Sequence, residues 1–161
     1  MSVMGYVVSV SKEDVEWLRT HEVVWGDDVE EEDDERDVFD NPSVEIGKIT
    51  QGVHHLLCGG DTKKLASFLL NEALGEKTKH EFAYGPGRLF SPDELAALRK
   101  ELDAIPDDEI EKRSKDDVLA THYPFNGTRD VDSERLVDTA DEVIAFVGSM
   151  KRGRWLLVAH T

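Results

Sequence analysis

The stretch of the sequence that says most about the fold is residues 84–95, Tyr84-Gly85-Pro86-Gly87-Arg88-Leu89-Phe90-Ser91-Pro92-Asp93-Glu94-Leu95. Ser91 and Glu94 have the spacing of a capping box, in which the serine oxygen accepts from the Glu94 amide and the glutamate reaches back to the serine N–H. Pro92 falls on the first helical residue, where its missing N–H costs nothing. The stretch therefore predicts a shaped turn that leads directly into a helix.

The two most strand-like segments lie at the two ends of the chain. Gly5–Val10 is a β-branched run bounded by turn formers, and the apolar run Trp155–Ala159 follows Gly153. The regular alternation of strand and helix that would favour a doubly wound sheet is missing between them. We therefore predict an α+β fold, with a single domain over residues 1–161. Its terminal strands form one small sheet packed with several helices, with Val7 and Leu157 in neighbouring strands of that sheet.

Amphipathic segments between the two ends predict the helices, because their apolar residues recur at three- and four-residue steps. One helix is expected to follow Ser43 and to end at Gly59. Its inward positions are Ile46, Ile49, Val53, Leu56 and Leu57. Further helices are expected to begin near Ser11, Asp61 or Thr62, Ser91, Asp107, and Asp132 or Ser133.

Residues 27–40 differ from the rest of the chain, because they hold ten acidic residues and one arginine, a net charge of −9 out of the total of −16. Like charges at this density repel one another and keep a segment extended. We therefore expect an acidic, mobile loop at about 27–40 that contributes little to the fold. A calcium site is disfavoured there, since the run lacks the glycine and ligand spacing of an EF-hand loop.

The overall charge narrows the classes of function. A chain with a net charge of −16 lacks the basic face that phosphate contacts require. We therefore expect that it binds neither a nucleic acid nor an anionic membrane surface. A basic protein partner fits this charge better. Cys58 is the single cysteine, and no apolar run approaches the ~20 residues of a membrane-spanning helix. With no signal peptide evident, we expect a cytoplasmic protein.

Several blocks of the sequence, taken in order, resemble one bacterial family. They are Gly47-Lys48-Ile49-Thr50-Gln51-Gly52-Val53-His54-His55-Leu56-Leu57-Cys58-Gly59, Leu65-Ala66-Ser67-Phe68-Leu69, the turn and helix start at 84–94, and His122-Tyr123-Pro124. Their order and spacing are similar to those of the YfbM-like domain of unknown function, over nearly the full chain. The resemblance implies an α+β fold and a cytosolic bacterial protein, and it implies no known reaction.

The sequence departs from the family pattern at two places. Thr50-Gln51 stand where the family commonly has tryptophan and histidine, and Asn71-Glu72 stand where a glycine pair is usual. If the missing aromatic residue and histidine belong to an active site in the family, this chain has lost or altered that activity.

His54 is the best candidate for a catalytic general base, because an unperturbed histidine pKa near ~6.5 suits proton transfer at neutral pH. On the predicted helix it lies about 100° from the centre of the apolar face, a boundary position that is open to a cleft or to a neighbouring element. A packed, hydrogen-bonded histidine is the more common outcome at such a border. His55 points away from the apolar face and is expected in solvent. Adjacent helical histidines diverge, so we expect no metal site, and nothing indicates a cofactor.

The turn before the capped helix is a candidate anion-binding site, with Tyr84, Gly85, Gly87 and Arg88 as its ligand-binding residues. Glycines let a backbone approach a ligand, and Arg88 offers a fork of donors near the positive end of the helix that starts at Ser91. The alternative is that the glycines satisfy turn geometry and Arg88 pairs with a surface carboxylate. Neither a phosphate-binding loop nor a dinucleotide-binding motif is present.

Two functions remain open on the sequence alone. In the first, the chain is a non-catalytic, acidic protein-interaction module that meets a basic partner, as acidic inhibitor or antitoxin-like proteins do. In the second, it is a small hydrolase-like or anionic-ligand-binding protein with a cleft near His54 and Arg88. The charge and the absence of a nucleophile motif favour the first. Cys58 has no such motif around it and is expected to be a small buried residue at the end of its helix.

Overall fold

A computed structural model describes residues 3–21, 37–122 and 131–161 of the chain. Within these residues, five strands form one antiparallel sheet in the order β2-β1-β5-β4-β3. The strands are β1 (Gly5–Val10), β2 (Ser43–Gly47), β3 (Glu76–Phe82), β4 (Gly85–Phe90) and β5 (Trp155–His160). The helices are α1 (Lys12–Thr20), α2 (Thr50–Cys58), α3 (Pro92–Asp103), α4 (Asp107–Arg113) and α5 (Ser133–Ser149). Short 3₁₀ helices span Val38–Asp40, Leu65–Ser67 and Asp117–Thr121.

The two terminal strands lie side by side in the middle of the sheet. β1 pairs with β5 over six residues, so that Val7 lies opposite Val158 and Val8 opposite Leu157. The prediction of an α+β domain whose terminal strands share one sheet is therefore confirmed.

The two faces of the sheet have separate cores, because successive side chains of a strand point to opposite faces. Val7, Leu156 and Val158 pack in the larger core, to which α2, α3, α4 and α5 contribute. Val8 and Leu157 pack in the smaller core, which α1 covers. Helices thus lie on both faces, and this burial explains why the central strands are apolar at consecutive positions.

The helix-start signals fold as the sequence predicts. The Glu94 amide donates to Ser91 Oγ at 3.2 Å, and the Ser91 amide donates to Glu94 Oε1 at 3.1 Å. Pro92 is the first residue of α3. Asp132 caps α5 by accepting from the Arg135 amide. A cap of this kind contributes about 1 kcal/mol and fixes where the helix begins.

Residues 43–47 differ from the prediction, because they form β2 and not the first turn of a helix. Gly47 has a left-handed backbone with φ of 75°, which ends the strand, and α2 begins at Thr50. The side chain of Ile46 is buried in the larger core. Its spacing from Ile49 is compatible with a helix, but the pairing of β2 with β1 decides the conformation there.

The edge strand β3 spans a segment of mostly polar residues, Glu76–Phe82. Thr78, His80 and Phe82 are buried, while Lys79 and Glu81 between them are exposed. This alternation with a period of two is the signal of a half-buried strand, and charged residues on an edge strand discourage pairing with other chains.

Most of the predicted acidic loop, residues 27–36, lies outside the described residues. Its last four residues are placed, and Val38–Asp40 forms a 3₁₀ helix that Asp37 caps. Val38 is only 3% exposed and packs in the smaller core. This end of the acidic run therefore contributes to the fold. None of the helices in the described residues has the length and apolar character needed to cross a membrane.

Candidate functional site

Helix α2 presents His54 to a cavity of about 530 Å³. The helix ends at Gly59, whose left-handed backbone (φ 64°) lets its amide donate to the His55 carbonyl. His54 is partly buried, in agreement with the boundary position expected for it. The other lining residues come from the segment after α2: Thr62, Leu70, Asn71, Glu72 and Ala73.

The imidazole of His54 is neutral at neutral pH, since burial lowers its pKa below the ordinary value. Electrostatic repulsion from His122, His55 and Arg88 lowers this pKa further. Its Nε2 lies 3.6 Å from Cys58 Sγ. Burial raises the pKa of the Cys58 thiol, and the residue is fully buried as the sequence predicts. A protonated, inaccessible thiol is not a nucleophile, so this cysteine–histidine contact lacks the reactive thiolate that catalysis needs.

The expectation that His55 lies in solvent is wrong, because this residue is only 9% exposed. Its Nε2 donates to Asp116 Oδ2 at 3.2 Å, and its ring lies edge-on to the His122 ring at 5.9 Å. Both partners come from the chain around the 3₁₀ helix Asp117–Thr121. The periodicity of α2 shows which side faces the sheet, but it does not reveal that a distant segment covers the opposite side.

Arg88 lies inside the protein and is only 5% exposed. Its terminal nitrogens donate to four backbone carbonyls at 2.6–3.0 Å, those of Phe68, Leu69, Asn71 and Leu74. Burial lowers the pKa of Arg88 to about 10, so the guanidinium stays charged at neutral pH. These contacts support a structural role for Arg88, in which it holds the segment after the 3₁₀ helix Leu65–Ser67 against β4.

The other residues of the candidate anion-binding turn form the hairpin between β3 and β4. Tyr84 is 40% exposed in the two-residue loop, and Gly85 has φ of 103°, a conformation that favours glycine. Gly87 is needed for packing, because a Cβ there would lie 2.8 Å from side-chain atoms of Leu157 and Phe82. His54 and Arg88 are close enough to interact electrostatically, but the lining of the His54 cavity includes neither Tyr84 nor the two glycines.

An acidic cluster on α4 and α5 is a feature that sequence reasoning missed. Asp107, Asp138 and Asp141 are exposed. Burial and the negative charges of Asp107 and Asp138 raise the pKa of Asp141. No ion pair is present at these three carboxylates in the described part of the chain. With 35 acidic residues in the sequence, spacing gives no signal that these three meet.

No group of three or more histidine, cysteine or acidic side chains is suited to hold a metal ion among residues 3–21, 37–122 and 131–161. This holds although His54, His55 and Cys58 lie within one helix. In the part of the chain that the structure describes, the i, i+4 pair of His54 and Cys58 has no third ligand beside it. His55 instead contacts Asp116.

Residues 1–156 match the family described as "Domain of unknown function (DUF1877)". The chain belongs to this family. Its fold is similar to that of the crystal structure of YfbM from Escherichia coli, a protein of unknown function, with a TM-score of 0.63 and 18% sequence identity. The similarity covers 98% of this chain and 99% of YfbM, so the resemblance inferred from the sequence blocks is confirmed. No protein of curated function matches the chain.

Proposed function

We propose that this protein is a non-catalytic protein-binding domain whose acidic surface meets a basic partner protein. The observation that carries the proposal is the cluster of Asp107, Asp138 and Asp141, in which burial and then the negative charges of Asp107 and Asp138 raise the pKa of Asp141. No cation of the described residues forms an ion pair with these three carboxylates. Unpaired like charges reduce the stability of a fold. A basic partner would relieve this repulsion, and charge complementarity accelerates encounter and sets specificity.

Several arginines of the chain leave the negative surface charge largely uncompensated, because their guanidinium groups donate to backbone carbonyls and not to surface carboxylates. Arg99 donates to the Val147 carbonyl at the end of α5, and Arg113 donates to the Leu56 carbonyl at the end of α2. Arg88 does the same four times. Guanidinium groups used in this way stabilise helix ends and loops, and they neutralise few of the carboxylates on the surface.

The hydrolase-like alternative has weaker geometric support. His54 has a neutral imidazole in a cavity, which suits a general base. However, the nearest thiol is buried and protonated, and the terminal nitrogens of Arg88 are already committed to carbonyls. Among the described residues, neither a reactive side-chain nucleophile nor a free guanidinium stands beside this base, so the covalent and oxyanion-stabilising parts of a hydrolase site lack support there.

The test compares partner binding by the native protein and two variants of equal net charge. The first carries Asp107→Asn, Asp138→Asn and Asp141→Asn. The matched control carries Glu13→Gln, Glu45→Gln and Glu81→Gln, which neutralise three exposed carboxylates on other elements. Proteins recovered from the native host are purified and their Kd values are measured at low and moderate salt. We expect the aspartate variant to bind at least about tenfold more weakly, with a smaller salt dependence, and the control to bind nearly as the native protein does.

Two results would contradict the proposal. Equal effects of the two triple variants would mean that only the total charge matters and that no specific face is used. Turnover in a broad hydrolase screen that His54→Ala abolishes without unfolding the chain would establish the catalytic alternative.

A further inference from the structure

A short 3₁₀ helix contacts His55 of α2 from both of its ends. Asp116, which caps the 3₁₀ helix Asp117–Thr121, accepts from His55 Nε2 at 3.2 Å. His122, which follows the last turn, places its ring edge-on to the His55 ring, with 5.9 Å between the ring centroids. The middle of the segment is anchored separately, because the Leu119 side chain is fully buried in the larger core. His122 therefore lies at the end of a segment whose centre is fixed.

The His122 imidazole fits this position only as a neutral ring. Its Nδ1 is buried and has no hydrogen-bond partner among the residues that the structure describes. A protonated imidazole carries an N–H on both ring nitrogens, so protonation would place a charged donor where the surrounding residues offer no acceptor. A buried charge without a hydrogen-bond partner is strongly disfavoured in a folded protein. The packing of the ring therefore opposes its protonation.

The titratable groups around His122 act in the same direction on balance. In the described residues these groups are His54 and His55 on α2 and Asp116 at the start of the 3₁₀ helix. Burial first, and then repulsion from His55, lowers the pKa of His122, while attraction to Asp116 acts the opposite way. The carboxylate of Asp116 already accepts from His55 Nε2 and from the Val118 amide. Its oxygens are therefore committed before His122 gains a charge.

We propose that His122 is a proton-sensitive latch, which holds the end of the 3₁₀ helix against His55 at neutral pH and releases it in mild acid. On release the charged ring reaches water, while Leu119 keeps the centre of the segment in the core. Release uncovers His55, which is only 9% exposed in the latched form. The latch does not rest on the protein-binding function proposed above, whose acidic cluster lies on α4 and α5.

The direction and the size of the effect follow from the linkage between protonation and release. A released imidazole has the ordinary histidine pKa near ~6.5, whereas the latched ring resists protonation. The released form therefore binds more protons, and release becomes more favourable as the pH falls through ~6.5. Between about pH 7.5 and pH 5.5 the equilibrium constant for release should rise by up to about tenfold, which is the limit for one histidine that stays neutral when latched.

The test measures amide hydrogen exchange of the native protein by NMR at about pH 7.5 and pH 5.5. The reporter is the His122 amide, which donates to the Leu119 carbonyl at the end of the 3₁₀ helix. After correction for the intrinsic pH dependence of exchange, we expect its protection to fall by several-fold, up to about tenfold. The Leu119 amide, which donates to the Asp116 carbonyl, should keep its protection, because its side chain stays in the core.

Three variants make the test specific to His122. His122→Phe keeps a ring at the contact but takes up no proton, so the protection of amide 122 should be nearly the same at both pH values. His122→Gln is a second uncharged replacement and should show the same pH independence. The matched control is His80→Phe, which removes another buried histidine with an unpaired Nδ1, on β3. This control should leave the pH-dependent change at His122 as it is in the native protein.

Three results would overturn the latch. The first is unchanged protection of the His122 amide in the native protein between the two pH values. The second is an equal loss of protection in the native protein and in the two uncharged variants at position 122. The third is an equal loss at the Leu119 amide and at the Val53 amide, which donates to the Ile49 carbonyl at the start of α2, because the whole domain would then loosen in acid.

Discussion

Replacing Arg88 with methionine is expected to reduce the free energy of unfolding by about 3–5 kcal/mol. Methionine fills much of the space of the arginine stem but leaves four carbonyls without a donor. The carbonyls of Phe68 and Leu69 are bonded in a buried environment, and each would cost roughly 1–3 kcal/mol. Those of Asn71 and Leu74 are partly buried, so that water can replace the guanidinium there at a smaller cost. Removal of a buried charge offsets part of the loss.

Two further variants make this prediction specific. Arg88→Lys keeps the charge but has three donors and no planar fork, so it should lose about half as much stability. Arg19→Met removes a half-buried arginine at the surface that pairs with Glu76 and Glu16, and such surface pairs contribute roughly 0–1 kcal/mol. Urea unfolding, with the midpoint and the slope fitted separately, measures all three. A loss for Arg88→Met no larger than that for Arg19→Met would refute the structural role assigned to Arg88.

Three further predictions test other parts of the structure. Gly87→Ala should cost roughly 1–3 kcal/mol, because its Cβ would clash with Leu157 and Phe82. Gly148→Ala is the control, because a Cβ at this position in α5 meets open space, and it should be neutral or stabilising by up to about 1 kcal/mol. Similar shifts in Tm for Gly87→Ala and Gly148→Ala would contradict the predicted clash at Gly87. Ser91→Ala should lower stability by about 1 kcal/mol through loss of the cap on α3, and an unchanged urea midpoint would count against that cap. Stability should fall as the pH drops below about 6.5, where unfolded histidines take up protons. Burial lowers the pKa of the folded-state histidines His54, His80, His122 and His160, so the unfolded chain binds more protons in that window. A urea midpoint that is flat from pH 7.5 to 5 would contradict this sign.

The sequence by itself predicts the features that depend on near neighbours in the chain. The capping box of Ser91 and Glu94 and the cap at Asp132 join residues three positions apart, so the helix starts follow from local hydrogen bonding alone. The terminal strands are predictable because both are apolar runs, which are typical of strands covered on both faces. The boundary position of His54 follows from the geometry of the helix.

Tertiary structure decides the features in which distant segments meet. Ile46 lies in a strand because its neighbours in β2 pair with β1, as Glu45 does with Tyr6, 39 residues earlier in the chain. His55 is buried because Asp116 and His122 cover it, although no pattern within α2 indicates their presence. Arg88 points inward to carbonyls of residues 68–74, whereas its sequence context is equally compatible with an exposed anion-binding turn. Local hydrogen bonds and side-chain periodicity are encoded within a few residues, but burial and the electric field at a site depend on every segment that packs around it.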